Sequence, residues 1–190
     1  MMLELEMGRR RLLGGMGLVG AATLLGAGGA QAALPERRLA FRNVHTGETC
    51  DARFMLAGGG WDAQGLAELD HGLRDWRRNE ATRMDRRLLT LIAELRDRLG
   101  VAPQRRIDLI SGYRSPNTNS ALRAKGGAHT GVATKSQHVL GKATDIAIPG
   151  VGLDRVNMAA LAMQGGGVGY YPKDGFVHVD TGRVRRWGDA

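Results

Sequence analysis

A carboxylate stands in the middle of a short apolar segment, residues 143–148, ATDIAI. The small and β-branched residues around Asp145 predict a buried strand. An ionised carboxylate is costly to bury unless it is paired with a cation or binds a metal. No cationic side chain stands within two positions of Asp145. The fold must therefore bring a partner to this residue from elsewhere in the chain.

Two histidines are candidate partners for this carboxylate. His138 precedes Asp145 by seven residues, and His178 follows it by 33 residues in the segment FVHVD. Side chains alternate along a strand, so Phe176, His178 and Asp180 share one face. If a sheet places the two strands side by side, two imidazoles and one carboxylate converge, as in a catalytic zinc site with its fourth position open. The competing interpretation is that each histidine is an ordinary hydrogen-bonded core residue.

The remaining pattern predicts a mixture of strands and helices. Alternation over residues 39–57 predicts a hairpin that turns at 45–48, and helical spacing predicts helices over 62–78, with Asp62 as the N-cap, and over 83–99. Further along the chain we expect a strand within 107–115, a short helix over 116–125, a glycine-rich loop over 126–135, a helix over 153–164 and two strands separated by Gly175.

The first 32 residues have the organisation of an export signal. Three arginines, Arg9 to Arg11, precede two leucines and a glycine- and alanine-rich apolar stretch, and Ala30 to Ala32 offer a cleavage site. This order predicts a twin-arginine signal and a periplasmic or cell-envelope location. An uncleaved membrane anchor is the alternative, which the many glycines disfavour. We expect a linker over 33–38, a folded domain over 39–190 and no transmembrane segment in the mature chain.

Composition limits the partners of the folded domain. The net charge of +8 suits an anionic partner, but the chain has only three Trp, three Tyr and three Phe. A nucleic-acid-binding surface built from stacked aromatics is therefore not expected. The one cysteine, Cys50, cannot form an intrachain disulfide and is predicted to be a small core residue.

Four separated segments together resemble the zinc D-alanyl-D-alanine peptidases, which share a fold with the VanX-type dipeptidases and the Hedgehog signalling domain. The segments are SGYRSPNTN (111–119), GVATKSQHVLGKATDIAIPG (131–150), GGVGYYP (166–172) and FVHVDTGRVRRW (176–187). Within that group the chain is most similar to the exported murein endopeptidase K-like branch, and the resemblance covers about residues 39–187.

The resemblance implies a fold, a cofactor and a substrate. The fold is α+β, with a small central antiparallel sheet, helices packed on one side and zinc in a cleft. His138, Asp145 and His178 would hold one Zn²⁺, and Arg114 would face the substrate. The substrates would be peptidoglycan peptides, either cross-links or stem peptides, hydrolysed when zinc-bound water attacks the peptide carbonyl.

The chain departs from the wider family at the general base. The carboxypeptidases and dipeptidases of the group carry a glutamate three residues before the last histidine, where this chain has Gly175. Asp180 is the first candidate, either as the base or as support for a ligand, and Asp174 and His129 are the others. The missing glutamate keeps open a second hypothesis, in which a non-catalytic domain of the same fold binds peptidoglycan or a partner protein. Hydrolysis of another amide or ester by the same zinc is a third.

Overall fold

The computed structural model describes residues 34–126 and 133–188, which are built around a seven-stranded sheet. The strands are β1 (Arg37–Asn43), β2 (Thr49–Met55), β3 (Ile107–Ser111), β4 (Ala143–Ala147), β5 (Gly167–Tyr171), β6 (Phe176–Asp180) and β7 (Arg185–Gly188). The helices are α1 (Ala63–Gly72), α2 (Arg86–Arg98), α3 (Pro116–Gly126) and α4 (Leu153–Met163), and a 3₁₀ turn spans Gln137–Leu140. The predicted export signal (1–32) and His129 lie outside the described residues.

The order of strands across the sheet is β2-β1-β3-β4-β6-β5-β7. Neighbours run antiparallel at four of the six pairings, whereas β1 with β3 and β5 with β7 run parallel. The predicted α+β class is confirmed, but the sheet is mixed rather than wholly antiparallel. Parallel neighbours need a long connection, and the chain between β1 and β3 supplies one with β2, α1 and α2.

One face of the sheet carries the hydrophobic core. Alternate strand residues point to this face and are buried, among them Leu39, Phe41, Phe54, Ile107, Leu109, Ile146, Val177 and Val179. They form one cluster with Leu69 of α1, Leu88 and Ile92 of α2, and Val156 of α4. Because these helices share one cluster with one face of the sheet, they pack on that side, as the resemblance implied.

The other face of the sheet is polar. Two cross-strand ion pairs lie on it, Arg38 with Asp51 at 2.8 Å and Arg42 with Asp108 at 2.9 Å. No α-helix is needed to cover such a surface, because the charged groups are solvated and paired. Further along the same face, at the centre of the sheet, Asp145 projects from β4.

A bulge in β3 turns the end of that strand toward the polar face. Leu109 pairs with Ile146 and faces the core, but Ser111 rather than Ile110 pairs with Asp145. The extra residue reverses the side-chain alternation after Leu109. Ser111 therefore lies beside Asp145, and the segment that follows β3 leaves the sheet on its polar face.

The helix α1 is shorter than predicted, although its N-cap is confirmed: the Asp62 side chain accepts a hydrogen bond from the Gly65 N–H. The helix ends at Gly72, where a Cβ would lie 2.7 Å from the Cβ of Cys50 in β2. Cys50 is half-buried against the core, and burial raises the pKa of its thiol to about 11. No helix in the described part of the chain is long and apolar enough to cross a membrane.

A buried carboxylate ties the end of α1 to the start of α3. Asp75 is 1% exposed, and its oxygens accept hydrogen bonds from the backbone N–H groups of Arg77 (3.1 Å) and Ser115 (3.0 Å). Burial alone would raise the pKa of Asp75, but hydrogen bonds from Thr118 and Ser115 outweigh burial and hold the pKa below its usual value. The ionised form therefore stabilises the fold.

We expect Asp75→Asn to lower the free energy of unfolding by about 2 kcal/mol at pH 7, because one oxygen acceptor is replaced by a donor. A carboxyl whose pKa is depressed in the folded state contributes stability above the pKa of the unfolded chain, about 3.9. The difference between parent and variant should therefore shrink as the pH falls below about 4. Urea unfolding between pH 3 and pH 7 measures it. The exposed control, Asp154→Asn, should change stability by less than about 0.5 kcal/mol.

Candidate metal centre

The centre of the sheet brings three buried ligand-type side chains together. β4 and β6 are antiparallel neighbours, and Asp145 stands directly opposite His178. The Oδ1 of Asp145 lies 2.8 Å from the Nδ1 of His178 and 3.2 Å from the Nε2 of His138. The two ring nitrogens are 3.1 Å apart. The convergence predicted from strand alternation is observed, and the three side chains form a group of suitable size for one metal ion.

His138 is held in place by the 3₁₀ turn before β4. The hydroxyl of Ser136 caps this turn by accepting a hydrogen bond from the His138 N–H. Gly141 ends the turn with a φ of +65°, a left-handed conformation that favours glycine. The His138 carbonyl also accepts a hydrogen bond from the backbone N–H of Arg114 at 3.2 Å. The turn is therefore fixed at both ends and tied to the segment that follows β3.

The outward nitrogens of both imidazoles contact groups that only accept hydrogen bonds. The Nδ1 of His138 lies 2.7 Å from the backbone oxygen of Gly112, and the Nε2 of His178 lies 3.0 Å from Oδ2 of Asp180. A carbonyl or carboxylate oxygen has no proton to give, so each of these ring nitrogens is the donor. In the neutral tautomers, the inward nitrogens then carry lone pairs directed at each other and at Asp145.

Three acceptors that face one another need a cation between them. Without a metal this cation is a proton: burial opposes the charge on His178, but Asp145 and Asp180 outweigh burial and raise its pKa. Burial would likewise raise the pKa of Asp145, but His138 and His178 hold it well below its usual value. Burial lowers the pKa of His138 and favours the neutral form, which is the ligand form. Two imidazoles and one carboxylate, each already oriented, fit zinc.

Asp180 is a fully buried partner of His178. Its Oδ1 accepts hydrogen bonds from the backbone N–H groups of Gly167 (3.1 Å) and Gly182 (2.8 Å). Both of its oxygens are also bonded by the guanidinium of Arg185. Burial acts to raise the pKa of Asp180, but His178, Arg185 and the N–H of Gly182 outweigh it and hold the pKa far below its usual value. The group is therefore a stable carboxylate whose contacts are already made.

Arg114 lies beside the carboxylate of the centre. Its Nη2 is 3.5 Å from Oδ2 of Asp145 and 3.4 Å from the hydroxyl of Ser111. The side chain is 11% exposed, and its buried Nε has no hydrogen-bond partner among the residues that the structure describes. Burial lowers the pKa of Arg114, which Asp145 opposes, but an arginine stays charged under all ordinary conditions. A partly desolvated cation that lines a cleft can bind an anionic or carbonyl oxygen.

A cleft of about 370 Å³ opens onto the centre. One part of its wall is aromatic: Tyr171 stacks on Phe176 with ring centroids 4.7 Å apart, and its hydroxyl accepts a hydrogen bond from Trp187 at 2.7 Å. Arg114 and Asp174 also line the cleft. The cleft therefore offers apolar, cationic and anionic surfaces within one small volume.

The structure brings the site residues predicted from the sequence close to one another. Arg114, His138, Asp145, His178 and Asp180 meet at one place, and Asp174 lies on the turn between β5 and β6 and lines the cleft.

The conformation of the turn between β5 and β6 accounts for a glycine, rather than a glutamate, at position 175. Gly175 has a φ of +77°, and its N–H donates to the Tyr171 carbonyl at 2.9 Å. This left-handed conformation strains any residue with a side chain, so a glutamate would be disfavoured at this position.

Three contributors to the site carry little signal in the sequence. The carbonyl of Gly112 leaves no side-chain signal, since any residue supplies a carbonyl. Arg185 and Trp187 lie in the segment RVRRW, whose many charges do not predict a strand. Their spacing of two, which places both on one face of a strand, is the only local signal that was available.

The similarity to known proteins extends over nearly the whole chain. Residues 31–187 match the family model described as peptidoglycan L,D-endopeptidase MepK. The chain is 43% identical over 187 residues to peptidoglycan L,D-endopeptidase MepK of Escherichia coli (strain K12), an alignment that covers 97% of this chain and 99% of the relative. The same figures hold for the protein of that name from Shigella flexneri.

A relative from another organism gives the same result. The probable peptidoglycan L,D-endopeptidase MepK of Haemophilus influenzae is 43% identical over 151 residues, covering 80% of this chain and 78% of the relative. No solved structure matches the chain. Both the family model and the relatives span nearly the whole described domain, so the assignment does not depend on a single motif. The chain belongs to the family described as peptidoglycan L,D-endopeptidase MepK.

Proposed function

We propose that this chain is an exported zinc peptidase that hydrolyses peptide cross-links of peptidoglycan as an endopeptidase. The observation that carries the proposal is the set of three facing acceptor atoms on His138, Asp145 and His178, whose outward hydrogen bonds fix the lone pairs inward. In a core cluster kept only for stability, one proton can bridge two of these three acceptors, and the third buried lone pair without a donor costs free energy.

The cofactor and the side chains have separate tasks. When bound, zinc supplies a Lewis acid and a water of lowered pKa. The fixed charge of Arg114, which lines the cleft, is suited to an oxygen that becomes negative during hydrolysis, or to a substrate carboxylate. The aromatic wall of Tyr171, Phe176 and Trp187 excludes water and contacts apolar parts of a peptide.

We assign proton transfer to Asp174 and a positioning role to Asp180. The sequence left both roles open for Asp180, but every described contact of its carboxylate is inside the protein, and the residue is 0% exposed. A general base must reach the reacting proton. Asp174 is exposed, lines the cleft and lies four residues before His178.

The names of the relatives support the choice of substrate and bond. They are described as endopeptidases of peptidoglycan with L,D specificity, so we infer that this chain cuts an amide between an L-centre and a D-centre. The net charge of +8 favours association with an acidic polymer. A peptidoglycan substrate in turn places the enzyme in the cell envelope, and the predicted twin-arginine signal is the proposed route.

The first test combines metal content with substrate cleavage. The purified protein should contain one zinc per chain and should cut cross-linked muropeptides at an L,D amide, as read by mass spectrometry of the products. Cross-links between two D-centres serve as the control substrate and should stay intact. Zinc without cleavage of any wall peptide would favour the alternative of a non-catalytic binding domain. A protein with no bound metal would contradict the zinc centre itself.

Removing a ligand should remove the metal and part of the stability. His138→Ala leaves two ligands, so we expect loss of bound zinc and of the stabilisation that binding gives, about 2.7 kcal/mol when zinc is 100-fold above its Kd. Metal analysis and thermal unfolding with and without zinc measure both effects. His71→Ala changes an exposed histidine and should alter neither quantity. Full occupancy in His138→Ala would rule out this ligand assignment.

Arg114→Ala should retain zinc and lose turnover. The guanidinium lies 3.5 Å from Oδ2 of Asp145, whereas both imidazoles contact Oδ1, and in the proposed mechanism its charge faces a reacting oxygen. We expect kcat to fall by about 10² to 10³ with metal content unchanged. The matched control is Arg123→Ala, an exposed arginine of α3 that should keep normal kcat. Unchanged kcat in Arg114→Ala would leave this residue a structural cation.

Substitutions at Asp174 and Asp180 should change different quantities, kcat in the first case and zinc affinity in the second. Asp174→Asn should lower kcat by about 10² to 10⁴ while zinc affinity stays normal, because a general base acts only in the reaction. Asp180→Asn should weaken zinc binding by about 10- to 100-fold. Steady-state kinetics at saturating zinc, together with a chelator competition assay, distinguish the variants. Normal kcat in Asp174→Asn would exclude it as the base.

A further inference from the structure

The last strand of the chain, β7, contributes side chains that lie next to the metal centre. β7 pairs in parallel with β5, and the register places Arg185 beside Gly167 and Trp187 beside Gly169. Two glycines on one strand thus face two large side chains on the next. A G-x-G segment of β5 thus pairs with an R-x-W segment of β7. None of these four residues is one of the candidate metal ligands.

Both glycines make room for the side chain that they face. A Cβ on Gly167 would overlap Nη1 of Arg185 and would lie 2.5 Å from Oδ2 of Asp180. A Cβ on Gly169 would lie 2.7 Å from Cε2 of Trp187. No real Cβ tolerates such contacts with groups that cannot move away. The absence of a side chain at Gly167 therefore lets the Arg185 guanidinium reach a carboxylate that is otherwise enclosed.

The guanidinium of Arg185 donates hydrogen bonds to both oxygens of Asp180. Nη2 donates to Oδ2 at 2.6 Å, and Nη1 donates to Oδ1 at 3.0 Å. Two backbone N–H groups, those of Gly167 and Gly182, are bonded to Oδ1 alone. This unequal set fixes the rotation of the carboxylate and leaves Oδ2 directed at Nε2 of His178, 3.0 Å away.

The arginine is itself held from two sides. Its Nη1 also donates to the carbonyl of Arg183 at 3.1 Å, and its Cζ lies 4.6 Å from the ring centroid of Trp187. The indole of Trp187 in turn packs 5.0 Å from the ring of His178. The Arg185 guanidinium is therefore held in a single orientation, unlike the guanidinium of a free surface ion pair.

We propose that Arg185 is a positioning residue of the metal centre: through Asp180 it holds the His178 ring with Nδ1 toward Asp145. The inference deepens the proposed function and depends on the same metal site. A lysine keeps the charge but lacks the planar pair of N–H donors that matches the two carboxylate oxygens, so the role belongs to the guanidinium geometry and not to the charge alone. The expected consequence is on metal affinity, before any substrate is bound.

The experiment measures zinc dissociation constants by competition with a chromogenic chelator at fixed pH, on the purified protein and its variants. Arg185→Ala should raise the Kd for zinc by tenfold or more, in line with the loss of a group that orients a ligand. Arg185→Lys should give a smaller increase than Arg185→Ala. The visible spectrum of the cobalt-substituted protein should change in both variants, because it reports ligand geometry independently of activity.

The matched control is Arg186→Ala. It removes the same charge from the neighbouring position of β7, where the side chain is exposed and points to the other face. We expect its Kd for zinc to stay within twofold of the parent. A second check is coupling: if Arg185 acts through Asp180, adding Arg185→Ala to Asp180→Asn should change the Kd by less than threefold.

Three results would overturn the inference. They are a Kd within twofold of the parent together with an unchanged cobalt spectrum in Arg185→Ala, an equal loss in Arg186→Ala, and full additivity with Asp180→Asn. Should Arg185→Ala fail to fold by circular dichroism, Arg185→Lys decides the question alone. A parent that binds zinc but cuts no wall peptide contradicts the proposed function and leaves this inference intact, whereas a parent without metal contradicts both.

Discussion

The antiparallel pairing of β4 with β6, which sets Asp145 directly opposite His178, is the constraint on which the rest of the site depends. Direct neighbours on antiparallel strands hold their side chains about 5 Å apart at the Cβ atoms. This spacing cannot be changed without a shift of register, and a shift of one residue would move Ile146 to the polar face and Asp145 into the core. The hydrophobic core and the metal centre therefore fix the same register.

Much of the fold could be predicted from local pattern. The hairpin of β1 and β2, the capped start of α1, and the strands that carry Asp145 and His178 all have clear periodicity, and the structure confirms them. The convergence of the three ligand-type residues also followed from sequence, because a carboxylate in an apolar strand demands a partner. Periodicity assigns a residue to a face, and burial cost then restricts what it can face.

The remainder depends on neighbours that local pattern does not specify. The two parallel pairings arise from the path of the chain, and nothing in the alternation of a strand names its partner. β7 was missed because an edge strand carries charged residues that resemble a polar tail. Local periodicity also does not specify the bulge at Ile110, which sets Ser111 opposite Asp145, or the end of α1 at Gly72, where the helix passes close to Cys50.

The one cysteine has a chemical consequence of its own. A thiol whose pKa is about 11 is ionised in roughly one molecule in ten thousand at neutral pH. The thiolate is the form that exchanges disulfides, is oxidised to sulfenic acid and captures soft metals such as Cu(I). By keeping Cys50 half-buried beside α1, the fold holds its one sulfhydryl group in the thiol form, which is the less reactive form toward oxidants and soft metals.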